Sequence, residues 1–219
     1  RAPNAGAPLA TLPANGRNAP PAGCRRSRWR GRDRSGAHRR CRHAGGFEGL
    51  DRGWRGKTGG GASSDRPHSS AKRGYASADF QDHAVAHLTV GLFERHDRER
   101  FELCGYSFGH DDGSAYRRRI AAACDRFVDL RDASFRAAAE RIAADGVDVL
   151  VDLMGHTGGS RPEVFALRPA PVQATWLGYP GTTGGRYMDY LIADPIVLPE
   201  GDLAGCSQAV TCLPHCYTP

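Results

Sequence analysis

No stretch of this 219-residue chain approaches the roughly 20 consecutive apolar residues needed to cross a bilayer, which excludes a membrane-spanning protein. The N-terminus lacks the apolar core of a secretory signal, although its Arg and Ser content weakly resembles a transit peptide. A cytoplasmic location is expected. Cysteine does not come in a set that would staple a small domain. There are seven, an odd number scattered through the chain, so reduced thiols are expected. Ile, Val and Leu are almost missing up to about Lys72, and no helical or alternating period takes their place. Such a segment cannot bury enough surface to offset its ordering entropy. Residues 1–72 are therefore expected to be a disordered Arg/Gly/Pro-rich segment.

Charge is equally lopsided. Residues 1–73 hold 17 Lys/Arg against 4 Asp/Glu, a net +13, whereas residues 74–219 hold 13 against 20, a net −7. The overall +6 belongs to the first third of the chain. Its arginine runs, Arg25-Arg26 through Arg34 and Arg39-Arg40 with Arg42, have the chemistry that displaces counterions from nucleic-acid phosphates. Such runs are more often solvated tails, and a GC-rich gene or translation outside the native frame yields the same composition. An Arg-rich nucleic-acid-binding protein with a non-catalytic lobe is thus the alternative from another class. Gly56-Lys57-Thr58 looks like the end of a phosphate-binding P-loop, but Asp51 stands where a glycine is needed and no strand precedes it.

From Gly74 onward short apolar runs alternate with helix-length amphipathic segments, the pattern of a parallel α/β sheet. Strands are expected at Tyr75–Phe80, Phe101–Ser107, Phe127–Leu130, Val147–Leu153, Val172–Trp176 and Tyr190–Ala193. Asp82 or His83 opens a helix with Val85, Leu88 and Leu92 on its apolar face. Ser114 caps a second helix carrying Tyr116, Ile120 and Cys124, and Ser134 caps a third, lined by Phe135, Ala138, Ala139 and Ile142. Gly146 stands where a left-handed residue closes that helix. Ligands of such sheets bind beyond the carboxyl ends of the strands. Three loops fit: 79–83, 155–159 and 178–184, the last two rich in the glycine that lets backbone approach a ligand. His83, at a strand-to-helix turn, has the right side chain for proton chemistry near neutral pH. Cys212, His215 and Cys216 lack the fourth ligand of a structural zinc site, and no metal is expected.

Taken together the loops resemble a known family. The run Gly74-Tyr75-Ala76-Ser77-Ala78-Asp79-Phe80-Gln81-Asp82-His83, with His87, looks like the opening of the catalytic region of the O-GlcNAc transferase and SPINDLY-like protein O-glycosyltransferases, glycosyltransferase family 41. Further matches follow in order: Tyr106-Ser107 with Asp111-Asp112-Gly113, the segment 145–153, Gly155-His156-Thr157, the segment 165–173, Trp176 through Gly184, Met188-Asp189-Tyr190 and Asp194-Pro195. The resemblance covers nearly all of residues 74–219 and none of 1–72.

The resemblance implies a GT-B architecture, two Rossmann-like lobes around a cleft, of which residues 73–219 would be the N-terminal lobe. The C-terminal lobe, with most of the nucleotide-binding residues, would be missing, as would the usual 34-residue repeats. The implied reaction is an inverting, metal-independent transfer of a sugar to Ser/Thr hydroxyls of a protein acceptor. It needs no cofactor. The donor would be UDP-GlcNAc or a related nucleotide sugar, with GDP-fucose the alternative, and the isolated chain would be inactive. His83 aligns with the histidine proposed as base or substrate-positioning group. Glu140 falls where animal members carry an aspartate discussed as part of a proton route. Gly178, Tyr179, Pro180, Gly181 and Thr182 would contact the sugar nucleotide together with His156 and Thr157, His156 replacing a tyrosine of animal members.

Overall fold

A computed structural model describes the backbone of Arg30–Arg32 and His38–Arg40 and the whole of residues 71–219. The first two segments are short strands, β1 and β2, paired antiparallel. The expected disorder of residues 1–72 and their arginine contacts otherwise lie outside the described residues. At its end, that segment differs from expectation: Ala71 and Lys72 already belong to the main sheet. Lys72 is held there by Glu102 at 3.2 Å, and the buried Arg73 guanidinium lies 3.5 Å above the Phe101 ring. Basic side chains thus occupy strand positions that an apolar pattern does not reveal.

The chain continues through β3 (Ala71–Ser77), α1 (Ala84–Glu94), β4 (Phe101–Ser107), α2 (Ala115–Ala123), β5 (Arg126–Asp129), α3 (Phe135–Ala144), β6 (Val149–Asp152), α4 (Pro162–Ala166), β7 (Val172–Thr175), β8 (Tyr190–Ala193) and β9 (Ala209–Cys212). Strands β3 to β9 form one sheet in the order β5-β4-β3-β6-β7-β8-β9, every neighbouring pair parallel. This is a Rossmann-like, doubly wound arrangement. The expected strand at Tyr75–Phe80 is centred earlier, because Phe80 folds back into the core beyond the end of β3. Strand β9 and helix α4 are additions: β9 is the edge strand, a mixed Ala-Val-Thr-Cys run that is mostly only half-buried, and α4 is a single five-residue turn.

Both sheet faces are buried, as parallel sheets require. On one, Val85, Ala86, Val90 and Phe93 of α1 and Ile120 and Ala123 of α2 pack on Tyr75, Leu103, Val149, Val151 and Val172. On the other, Ala138, Ala139 and Ile142 of α3 and Val164 and Phe165 of α4 pack on Ala76, Cys104, Tyr106 and Leu150. Ser114 and Ser134 accept from the backbone N–H groups of Arg117 and Ala137, and Gly146 takes φ 70°, all as expected. Two residues assigned to inner faces are not there. Leu88 is 40% exposed because α1 turns Val85, Ala86, Thr89, Val90 and Phe93 inward, and Phe135 is 44% exposed, its ring under the Arg161 guanidinium. No described helix is long and apolar enough to cross a membrane.

Arg117 is the most heavily bonded side chain at the carboxyl edge of the sheet, and it is buried. Its Nη1 donates to the Phe80 carbonyl at 3.2 Å and to Ser107 Oγ at 2.8 Å; Nη2 donates to Asp129 Oδ2 at 3.1 Å and Nε meets Asp111 Oδ1 at 3.2 Å. One guanidinium therefore joins the ends of β3, β4 and β5. Removing one partner of a buried ion pair typically costs about 3–5 kcal/mol. Asp111 and Asp129 can rehydrate, which places Arg117→Leu near the lower figure, about 3 kcal/mol. A fall in urea midpoint at unchanged slope checks this, and Arg117→Lys, which cannot span the same partners, is expected to recover less than half the loss.

Candidate functional site

Strands β3 and β6 are neighbours, yet the chain leaves β3 towards β4 and β5 and leaves β6 towards β7, β8 and β9. In open parallel sheets this reversal of winding is where a ligand crevice lies, at the carboxyl ends of the two strands. Ser77 Oγ and the Ala78 N–H both donate to the Met154 sulfur, at 3.2 and 3.3 Å, tying the two loop bases together. Beyond this tie Gly159, at φ 81°, passes so close to Ala78 that a Cβ would lie 3.3 Å from the alanine methyl.

The β6 loop is shaped by Asp152. Its carboxylate accepts from the Met154 N–H at 2.9 Å and the Gly155 N–H at 3.1 Å, while only 3% of the residue is exposed. Burial pushes this carboxyl up to about 7, against the pull of the two N–H donors. The β7 loop locks onto the β6 loop through backbone. Leu177 takes φ 73°, a strained value for leucine, and is held there by burial. Gly178 lies so close to β6 that a Cβ would sit 2.1 Å from the Leu153 carbonyl, and Tyr179 fills the space beside Gly155.

His83 is the N-cap of α1. Its Nδ1 accepts from the Val85 N–H at 3.2 Å, and Asp79 Oδ2 lies 3.6 Å from the same nitrogen. Burial raises the Asp79 carboxyl, and His83 works against that shift. Asp112 accepts from the Asp82 N–H at 2.7 Å and is held down to about 2 by the backbone donors of Asp82 and Ser114. The loop after β4 thereby props the turn that carries His83. His87, one turn on, pairs with Asp82 at 2.6 Å and packs against Tyr116.

His156 and Tyr179 meet edge to face, with ring centroids 5.3 Å apart, and His156 Nε2 lies 3.0 Å from the Thr183 carbonyl oxygen. Thr157 bonds to the Met154 carbonyl at 2.9 Å. Pro180 is exposed at the rim and Gly181 packs against the Tyr179 ring. The Thr182 hydroxyl is engaged within the protein: it accepts from the N–H groups of Gly184 and Ser207 and donates to Gln208 Oε1 at 2.8 Å. Gln208 also bonds to the Thr183 hydroxyl. The structure thus gathers His83, His156, Thr157 and the 178–182 loop at one edge. Glu140 is not among them. It lies on α3, on the opposite sheet face from α1, with its side chain 68% exposed and 3.8 Å from Arg136.

Arg117, Asp152 and Gln208 went unassigned by sequence reasoning. Arg117 left a signal, a basic residue one turn before Ile120 on the buried stripe of α2. Asp152 left another, a carboxylate ending an apolar strand at the ligand edge. Gln208 left none. Among the described residues no three His, Cys, Asp or Glu side chains gather so as to hold a metal ion. Cys212 is buried, whereas Cys216 is exposed beside Thr218.

A family model described as "Glycosyl transferase family 41" matches residues 62–218. An Arabidopsis thaliana protein described as a probable UDP-N-acetylglucosamine–peptide N-acetylglucosaminyltransferase SEC is 40% identical over 144 residues, 66% of this chain and 15% of the relative. A Caenorhabditis elegans protein described as a UDP-N-acetylglucosamine–peptide N-acetylglucosaminyltransferase is 39% identical over 145 residues, 66% of this chain and 13% of its own length. A solved structure of a K341M mutant of Thermobaculum terrenum O-GlcNAc transferase superposes with a TM-score of 0.68 at 36% identity, covering 72% of this chain and 30% of that one. The chain therefore spans about a seventh of the length of these curated relatives.

The Asp152 environment has a measurable signature. A carboxyl that titrates near 7 when folded and near 3.9 when unfolded favours the folded state in its protonated form. That contribution is complete below about pH 4 and is lost as pH rises through 7. Relative to Asp152→Asn, the wild-type protein is expected to lose stability between about pH 4 and 7 and to level off above. The change is at most about 4 kcal/mol, read from urea unfolding of both proteins across that range.

Proposed function

The chain belongs to glycosyl transferase family 41, and on that premise we propose that it is the N-terminal lobe of a GT-B protein O-glycosyltransferase that moves GlcNAc from UDP-GlcNAc to Ser or Thr hydroxyls. The relatives' descriptions as UDP-N-acetylglucosamine–peptide N-acetylglucosaminyltransferases support the donor and a peptide acceptor. The observation that carries the reading is the reversal of winding between β3 and β6, at whose carboxyl edge His83 caps α1 and the glycine-fitted loops after β6 and β7 lie. The reaction is a single inverting displacement. The acceptor oxygen bonds to the anomeric carbon as the bond to the diphosphate oxygen breaks and its electron pair leaves with the diphosphate. It requires donors aimed at the developing charge and no metal.

His83 supplies one such donor. Its Nδ1 is committed to the Val85 N–H, so the neutral ring carries its proton on Nε2 and has an N–H free to donate. The N-terminal end of α1 adds positive potential there. Gly178 and Pro180 bring backbone and ring surface against the sugar, while Thr182 and Gln208 hold that loop in place. The second lobe closes the cleft over the diphosphate, and transfer depends on it. The five described cysteines are all free thiols, which suits a cytoplasmic enzyme.

The test combines this chain with the remaining lobe of the Thermobaculum terrenum relative, a Ser/Thr peptide and either UDP-GlcNAc or GDP-fucose, with peptide mass as the readout. The peptide is expected to gain one GlcNAc when both polypeptides and UDP-GlcNAc are present, and nothing with this chain alone. In His83→Ala the rate is expected to fall about 10²–10³-fold. Fucose addition instead would replace the donor, and no addition from either nucleotide sugar would overturn the reading.

A further inference from the structure

Two histidines stand in the loops at the carboxyl edge of the sheet, and their hydrogen bonds leave opposite chemical functions free. His83 receives the Val85 N–H on Nδ1, so its free nitrogen is Nε2, which bears the proton. In His156 the partner is a carbonyl, the Thr183 oxygen 3.0 Å from Nε2. A carbonyl oxygen only accepts. The proton of neutral His156 is therefore also on Nε2, but there it is consumed, and the free nitrogen is Nδ1 with its lone pair. Nδ1 has no partner among the described residues, and the residue is exposed.

The arrangement is braced from behind. The Tyr179 ring stands edge-on to the imidazole at 78°, and Gln208 fixes the Thr183 side chain next to the carbonyl that holds it. A ring oriented by one N–H···O=C bond, with its other nitrogen bare, is the disposition of a general base. His83 lacks it. To accept a proton on Nε2 it would first have to release the Val85 N–H and move its own proton to Nδ1, towards Asp79.

We propose that His156, rather than His83, takes the proton of the acceptor hydroxyl. This rests on the transferase reading above. As the Ser or Thr oxygen bonds to the anomeric carbon and the diphosphate departs with the electron pair of the broken bond, the hydroxyl proton passes to His156 Nδ1. The resulting imidazolium keeps its Nε2–H on the Thr183 carbonyl and returns the proton to water after the product leaves. His83 meanwhile donates and does not accept.

The experiment has two arms. In long-range 1H–15N spectra of the full chain labelled at histidine, His156 is expected to carry its proton on Nε2 with a non-hydrogen-bonded Nδ1, and His83 to carry it on Nε2 with a hydrogen-bonded Nδ1. A proton on Nδ1 of His156 overturns the proposal whether or not the protein transfers sugar. In the two-polypeptide assay, His156→Ala is expected to lower kcat about 10²–10⁴-fold with little change in KM for the nucleotide sugar, and added imidazole to restore part of the loss. His156→Gln, which keeps an N–H for Thr183 but no basic nitrogen, is expected to stay as slow as His156→Ala. Near-normal kcat in His156→Gln, or no rescue of His156→Ala by imidazole, overturns the proposal. Absence of transfer by the wild-type pair counts against the transferase reading instead, and the ring protonation then decides the inference alone.

Discussion

The carboxyl edge of the sheet depends on one buried cation. Strands β3, β4 and β5 end side by side, and the Arg117 guanidinium reaches all three ends from a single position on α2, meeting the Phe80 carbonyl and the Ser107 and Asp129 side chains. Its planar fork makes this possible; a lysine ammonium on the same stem has neither the reach nor the number of fixed directions. Because the Phe80 carbonyl is one of its acceptors, the turn leading to His83 is anchored to the second helix as well as to its own strand. The other half of the edge is set by a buried carboxyl. Asp152 closes the β6 loop by accepting from two successive backbone N–H groups, so the two sides of the cleft are set by a buried base and a buried acid.

Much of this order was legible in the sequence where a residue's local chemistry and its place in the fold agree. Ser114 and Ser134 are caps because a hydroxyl after a turn has an N–H three residues on to accept from. Gly146 is left-handed because only glycine reaches that conformation without cost. The order of strands and helices could be read because apolar runs and amphipathic segments differ in period. Legibility failed where a side chain is buried for its charge. Arg73 stacks on Phe101 and Arg117 spans three loops, and each scores as polar in any hydrophobic pattern. It also failed for β9, a half-buried edge strand without a continuous apolar run, and for the single-turn helix α4.

The site shows the same division. That the 79–83, 155–159 and 178–184 loops share one edge follows from a parallel sheet alone. Which nitrogen each histidine offers does not, because it depends on a carbonyl 27 residues away in one case and on a local N–H in the other. Glu140 illustrates the limit of alignment: its position in the helix is a matter of sequence, but the sheet stands between α3 and α1, and the carboxylate faces solvent and Arg136.

The close fit of Gly178 against the Leu153 carbonyl and of Tyr179 against Gly155 has a bearing on how such a lobe can diversify. Where glycine is packed this tightly against a strand carbonyl or a tyrosine side chain, nothing can be added without moving its neighbour, so inheritance has little room to experiment. The exposed rim position Pro180 sits on that frame without building it. New sugars or new acceptors can be explored there by single substitutions, each altering chemistry at the mouth of the cleft while leaving the scaffold that presents it intact.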